Sequence, residues 1–160
     1  MKWFKDKKSK NVQYTYRQGA LVPADEVFRA WTSGDLDRML KATDIKTNLI
    51  DRHHLLQSIV AETFKLRKEK KYRMLCIKYA EKHLEELSSI LIALKEDLPD
   101  MLPRVTTFQK YATILTEDGD FEKAIKVCKK AISYGLDDGT QSGYKGRIER
   151  IKKKIDTSKK

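Results

Sequence analysis

Proline and glycine are scarce in this chain, at 3 and 7 of its 160 residues. That argues against long turn-rich β-structure and leaves few natural breaks in regular elements. Cysteine is scarcer still. Cys76 and Cys128 stand far apart with no CxxC or His-rich spacing, so a disulfide framework and a thiolate metal site are both disfavoured and reduced thiols are expected. The longest apolar run is Ile90 to Leu94, far short of the roughly 20 residues a membrane span needs. The opening MKWFKDKKSK has no apolar segment behind it and does not read as a secretory signal. Together these absences lead us to expect a cytoplasmic protein with no membrane partner.

Catalytic signatures are missing as well. There is no GxxxxGK[ST], GxGxxG or GxSxG motif. His53 and His54 are adjacent, so on a helix they point about 100° apart and do not make the i, i+4 pair of a zinc site. His83 stands alone on a helix and reads as a surface or packing residue. We therefore expect no catalytic residues, no cofactor, no metal and no enzymatic activity.

What the chain has is charge, 36% of its residues, and a hydrophobic content of 40%, enough for a thin core of the kind an elongated helical stack buries. The net charge of +11 invites a nucleic-acid reading, but its distribution weakens it. Residues 1–17 hold six basic side chains against Asp6, and residues 145–160 hold eight against Glu149 and Asp156. The 127 residues between sum to zero. The excess belongs to the two ends, which would attract polyanions weakly. The internal run Lys65 to Arg73 reads as a solvated turn between helices.

Along the chain, Val12, Tyr14 and Tyr16 alternate with polar residues and allow a short strand or an extended arm. Pro23 suits the first turn of a helix carrying Val27, Phe28, Ala30 and Trp31. Ser33-Gly34-Asp35 breaks it, and Asp35 or Ser33 caps a short successor with Leu36, Met39 and Leu40. Asn48 caps the next, with Asp51 as a weak capping-box partner. A long helix spans about Tyr72 to Leu98, Pro99 and Pro103 bracket a break, and a last helix covers about Gly143 to Ile155.

The most informative stretch is Phe108 to Leu136. Two amphipathic helices fold back at Asp118-Gly119-Asp120, with small residues where they would cross, at Ala112, Ala124 and Ala131. Phe108, Tyr111, Ala112, Leu115, Gly119, Phe121, Ala124, Cys128 and Ala131 follow one another at the spacing of a tetratricopeptide repeat, and residues 105–136 resemble that family. Leu115 departs from the usual tyrosine and Leu136 from the usual proline. Residues 52–85 resemble it poorly, since Thr63, Leu75 and Lys82 fall where the alanines lie.

The resemblance implies an all-α fold of stacked antiparallel helical hairpins in a right-handed superhelical array, sealed by a C-terminal capping helix. It implies a domain plan of a basic arm (1–22), one helical-repeat domain (23–155) and a basic tail (156–160). It also implies a protein–protein interaction module, a scaffold or adaptor for a protein or peptide whose identity the sequence does not give. Family members that bind peptides clamp a C-terminal carboxylate with Lys, Asn and Arg from consecutive helices. Lys110, Lys145 and Arg147 have that chemistry without the full pattern. They stand as candidate partner-binding residues, and that ligand is not carried over. The alternative is a nucleic-acid-associated protein that binds polyanions through its basic ends. Homo-oligomerisation is left open.

Overall fold

The computed structural model describes residues 12–159. Among them the chain is mostly helical. A hairpin of β1 (Tyr14–Arg17) and β2 (Ala20–Pro23) leads into α1 (Glu26–Ser33), α2 (Leu36–Lys41), a 3-10 turn (Ala42–Asp44), α3 (Leu49–Lys65), α4 (Lys70–Asp97), α5 (Thr107–Glu117), α6 (Phe121–Ser133) and α7 (Gly143–Ser158). Successive long helices pack on one another, α3 on α4, α4 on α5, α5 on α6 and α6 on α7, while α1 and α2 cover α3.

Part of the expected N-terminal arm forms a hairpin. Residues 1–11 of the expected arm lie outside the described residues, but Tyr14 pairs with Pro23 and Tyr16 with Leu21 in antiparallel register. The link is the two-residue loop Gln18-Gly19, with φ of 51° and 79°, the left-handed pair that a tight hairpin turn matching strand twist requires. Pro23 is not in a helix. Ala24 N–H donates to the Gln13 carbonyl at 2.7 Å, so the ladder holds the chain extended past the proline. Asp25 then caps α1, accepting from Phe28 N–H at 2.9 Å.

Of the two candidate caps for α2, Asp35 serves. Its carboxylate accepts from the backbone N–H groups of Asp37 and Arg38, while the Ser33 hydroxyl donates back to the Ala30 carbonyl. Asn48 caps α3 by accepting from Asp51 N–H at 2.9 Å. Asp51 does not return the bond to the Asn48 backbone; it accepts from the Asn48 side-chain amide instead. The long helix starts at Lys70 and the last helix runs to Ser158, so most of the expected tail is helical.

The α5–α6 hairpin turns at Gly119, whose φ of 80° only glycine adopts cheaply. Asp120 N–H reaches back to the Leu115 carbonyl at 2.8 Å and Gly119 N–H to Thr116 at 3.1 Å, a Schellman closure that satisfies the last carbonyls of α5. The same closure ends α6, where Leu136 N–H bonds the Ala131 carbonyl at 3.1 Å and the buried Leu136 side chain covers the helix end. Leucine supplies an N–H here that proline could not.

Phe108, Ala112, Ala124, Cys128 and Ala131 have no exposed surface, and Tyr111 and Leu115 almost none. Replacing Ala124 with Trp forces a large ring into this filled space. We expect Ala124→Trp to cost about 1–3 kcal/mol or more, read as a lowered urea midpoint. An unchanged midpoint would place Ala124 on a surface.

Candidate functional site

The residues singled out by the repeat pattern are structural in their placement. Those named above are buried, Phe121 is half-buried against the same core, and Gly119 makes the turn. Tyr111 keeps only its hydroxyl outward, donating to Glu81 at 2.8 Å. The residues offered as partner contacts divide. Lys110 and Arg147 line one cavity of about 200 Å³ together with Phe64, Gln109 and Thr113. Lys145 is exposed and does not line it.

That cavity is the middle of a trough. Toward the start of α5, Gln109 also lines a cavity of about 360 Å³ shared with Arg104, Thr106 and Asp138. Toward its end, Thr113 and Arg147 also line one of about 220 Å³ with Thr116, Arg150 and Lys154. Gln109, Thr113 and Thr116 recur at three-to-four spacing and make one face of α5, with Thr106 just before it at the cap. Arg147, Arg150, Ile151 and Lys154 do the same on α7. The trough thus runs along α5, with α7 as one wall and α3, through Phe64, touching its middle.

Its walls are fixed by ion pairs. Arg147 reaches Asp138 at 3.4 Å and donates to the Thr113 hydroxyl at 3.4 Å. Burial pushes the Asp138 carboxyl up, but hydrogen bonds from Thr140 and the Arg147 guanidinium outweigh it, and its pKa lies below the ordinary value. Glu117 is held by Arg67 at 3.0 Å and Arg73 at 3.1 Å, and Asp118 by Arg73 at 2.7 Å. The hydrogen bond from Arg67 is the main reason the Glu117 pKa is lowered. Two members of the basic run 65–73 are therefore spent on the α5–α6 turn. Arg67 also lies over the Phe64 ring, 3.9 Å from its centroid, a cation–π contact on the trough floor.

Four cations remain. The first is Arg104, which lines the cavity at the start of α5. Among the described residues, Arg104, Lys110, Arg150 and Lys154 form no ion pair. Burial, with Arg104 and Lys65 nearby, pushes the Lys110 ammonium below its usual pKa.

A second polar cluster lies in the core. His53 Nδ1 and His83 Nε2 are 2.9 Å apart, and His83 Nδ1 is 2.7 Å from the Thr107 hydroxyl. His83 and Thr107 are fully buried and His53 nearly so. The chain sews α3, α4 and α5 together. Burial, then the neighbouring His54, lowers His53 to about 3, with the Arg104 backbone acting weakly the other way. Burial also pushes His83 well down, aided by His53, Arg52 and His54. His54 instead stacks on Trp31 at 4.5 Å. A hydroxyl beside an imidazole has the outline of a nucleophile and base, but Thr107, His83 and His53 line none of the three cavities. The cluster is a core seam. Its signal in the sequence was the position of His83 on the apolar face between Tyr79 and Leu87. Among the described residues no group of three or more His, Cys, Asp or Glu side chains could hold a metal ion, and no helix is long and apolar enough to cross a membrane.

Comparison with protein-family models, with curated proteins and with solved structures finds no significant match.

Proposed function

We propose that this protein is a non-enzymatic interaction module, a scaffold or adaptor of tetratricopeptide-repeat-like build, and that its partner lies in the α3–α5–α7 trough. On this reading α3, α5 and α7 are the first helices of successive pairs in a superhelical array. The observation that carries it is the continuity of the trough. Three cavities that share Gln109, Thr113 and Arg147 as lining residues follow one another along α5, a surface suited to an extended segment or a helix face. Arg147 and Glu117 are held in place by ion pairs, so little ordering entropy is lost where they meet a guest.

Thr113 sits where two of the cavities meet. Thr113→Trp should fill the path while α5 still forms. Partners recovered from native lysate by the unaltered chain should be lost from this variant. They should be retained by Lys126→Trp, a change at an exposed position of α6. Circular dichroism melts of both variants must match the parent within a few degrees. Equal recovery by Thr113→Trp would remove the trough reading.

One feature favours the polyanion alternative in part. Lys145, Lys152, Lys153 and Lys159 are exposed on or beside α7. Phosphate-backbone binding through such a face would be independent of sequence and steeply salt-dependent.

A further inference from the structure

Arg150 and Lys154 sit one helical turn apart on α7 and face the same cavity of about 220 Å³ as Arg147. Like charges at i, i+4 destabilise a helix, and no carboxylate on the chain relieves this pair among the described residues. The neighbouring charges cancel. Arg147 is matched by Asp138, and Arg67 and Arg73 by Glu117 and Asp118. Glu117 also lines this cavity, but its carboxylate is held by Arg67 and Arg73, so what is left over the cavity is the double positive charge of Arg150 and Lys154. Both side chains are exposed, free to close over a guest. Between them lies Ile151, buried, which gives the cavity an apolar floor. Arg150 is lightly tethered by donating to Ser142 at 3.1 Å.

A carboxylate would neutralise half of that charge. A phosphoryl monoester carries about −1.5 to −2 at neutral pH and offers three acceptor oxygens, which a forked guanidinium and a mobile ammonium can share. We propose that the α5–α7 cavity is a phosphoryl-binding subsite, with Arg150 and Lys154 as its anchors, and that it receives a phosphorylated serine or threonine of a partner polypeptide lying in the trough. Arg147 is held by Asp138 and positions the wall. Lys110, in the next cavity, adds positive potential along the path an acidic segment would follow. This inference rests on the trough being the partner site.

The test uses the full chain and two-dimensional amide NMR. Inorganic phosphate should shift the amides of Thr113–Glu117 and Arg150–Lys154 saturably, and sodium acetate at equal ionic strength should not. An alanine-rich peptide with one central phosphoserine should bind at least about tenfold more tightly than its unphosphorylated twin, the scale set by losing charge-assisted hydrogen bonds. Arg150→Gln with Lys154→Gln should abolish that preference. The charge-matched pair Lys152→Gln with Lys153→Gln should leave it within about twofold, because removing charge outside the cavity acts only through a screened field. Equal losses in the two double variants, or oligothymidylate binding more tightly than the phosphopeptide, would overturn the subsite in favour of diffuse polyanion attraction. Phosphate shifts absent, while Thr113→Trp still releases lysate partners, would overturn this inference and leave the trough standing. Partners retained by Thr113→Trp would overturn the trough itself.

Discussion

Lowering the pH below about 6.5 destabilises this fold well before its carboxylates are protonated. Unfolded histidine takes up its proton near pH 6.5, whereas His53 in the fold resists until about 3 and His83 is also held well below its usual value. The unfolded chain thus binds more protons throughout that interval. Stability is complete above about 6.5 and falls with pH by about 1.4 kcal/mol per unit for each ring kept neutral. With His83 and His54 lowered as well, the slope is steeper than one ring alone would give. The core gives a proton nothing to lean on: Arg52 and His54 add positive charge near His83, and protonating both rings sets N–H against N–H across 2.9 Å. Asp51, Glu117 and Asp138 have lowered pKa values, so their contributions are present above the unfolded value near 4 and are lost only below it. The interval from about pH 6.5 to 4.5 therefore reports on histidine alone. Urea midpoints followed by circular dichroism should be flat above pH 7 and drop steeply across that interval. His53→Gln with His83→Gln should be weaker at pH 7.5 and distinctly shallower across the same range, keeping only the slope of His54, whose pKa burial also lowers. A parent midpoint unchanged down to pH 4.5 would mean that the rings reach water when charged.

Local signals in the sequence translated directly into structure where one residue decides the backbone. Gly34 and Gly119 end helices because each takes a left-handed φ, and Asn48 and Asp35 start them because their side chains satisfy free N–H groups. The alternation of Tyr14 and Tyr16 correctly suggested extended chain, but the Gln18-Gly19 turn lacks the Asn-Gly signature that marks a hairpin. Pro23 misled because its fixed φ serves a strand end as well as a first helical turn. The trough was barely legible. Arg147 and Lys110 were noticed for their chemistry, but α5 and α7 are separated in sequence by the whole of α6. Whether Arg150 faces Thr113 or water depends on a crossing that no local pattern encodes. The basic run 65–73 does hold a solvated turn between α3 and α4, but its long-range ion pairs carry no local signal. Within it Arg67 and Arg73 are matched by Glu117 and Asp118 across the fold, while Lys65 is matched by Glu62 on its own helix.

Asp51→Ala should detach the N-terminal hairpin and cost about 3–5 kcal/mol, the usual penalty for leaving one partner of a buried ion pair uncompensated. Sequence reading gave Asp51 a minor part in a helix cap, yet it is 1% exposed and its carboxylate is shared among three elements. It accepts from Arg17 at 2.9 and 3.3 Å, from the Trp31 indole at 3.0 Å and from the Asn48 amide at 2.6 Å. Burial pushes its pKa up, but the hydrogen bonds from Arg17, Trp31 and Asn48 together outweigh it. The Arg17 side chain is itself only 14% exposed, so without Asp51 its guanidinium must move to water and take β1 with it. A two-stranded hairpin is marginal alone. The remaining tie from this turn, Gln18 to Glu96 and Asp97 on α4, is exposed and weak. Amide exchange should therefore accelerate across Tyr14–Pro23 in Asp51→Ala, while the α5–α6 hairpin stays protected. The compensated pair Arg17→Met with Asp51→Leu should recover only part of the loss, because it removes the buried charges but leaves the Trp31 indole and the Asn48 amide without their acceptor. Equal urea midpoints for Asp51→Ala and the parent would show that the hairpin is held by its apolar contacts and not by this carboxylate.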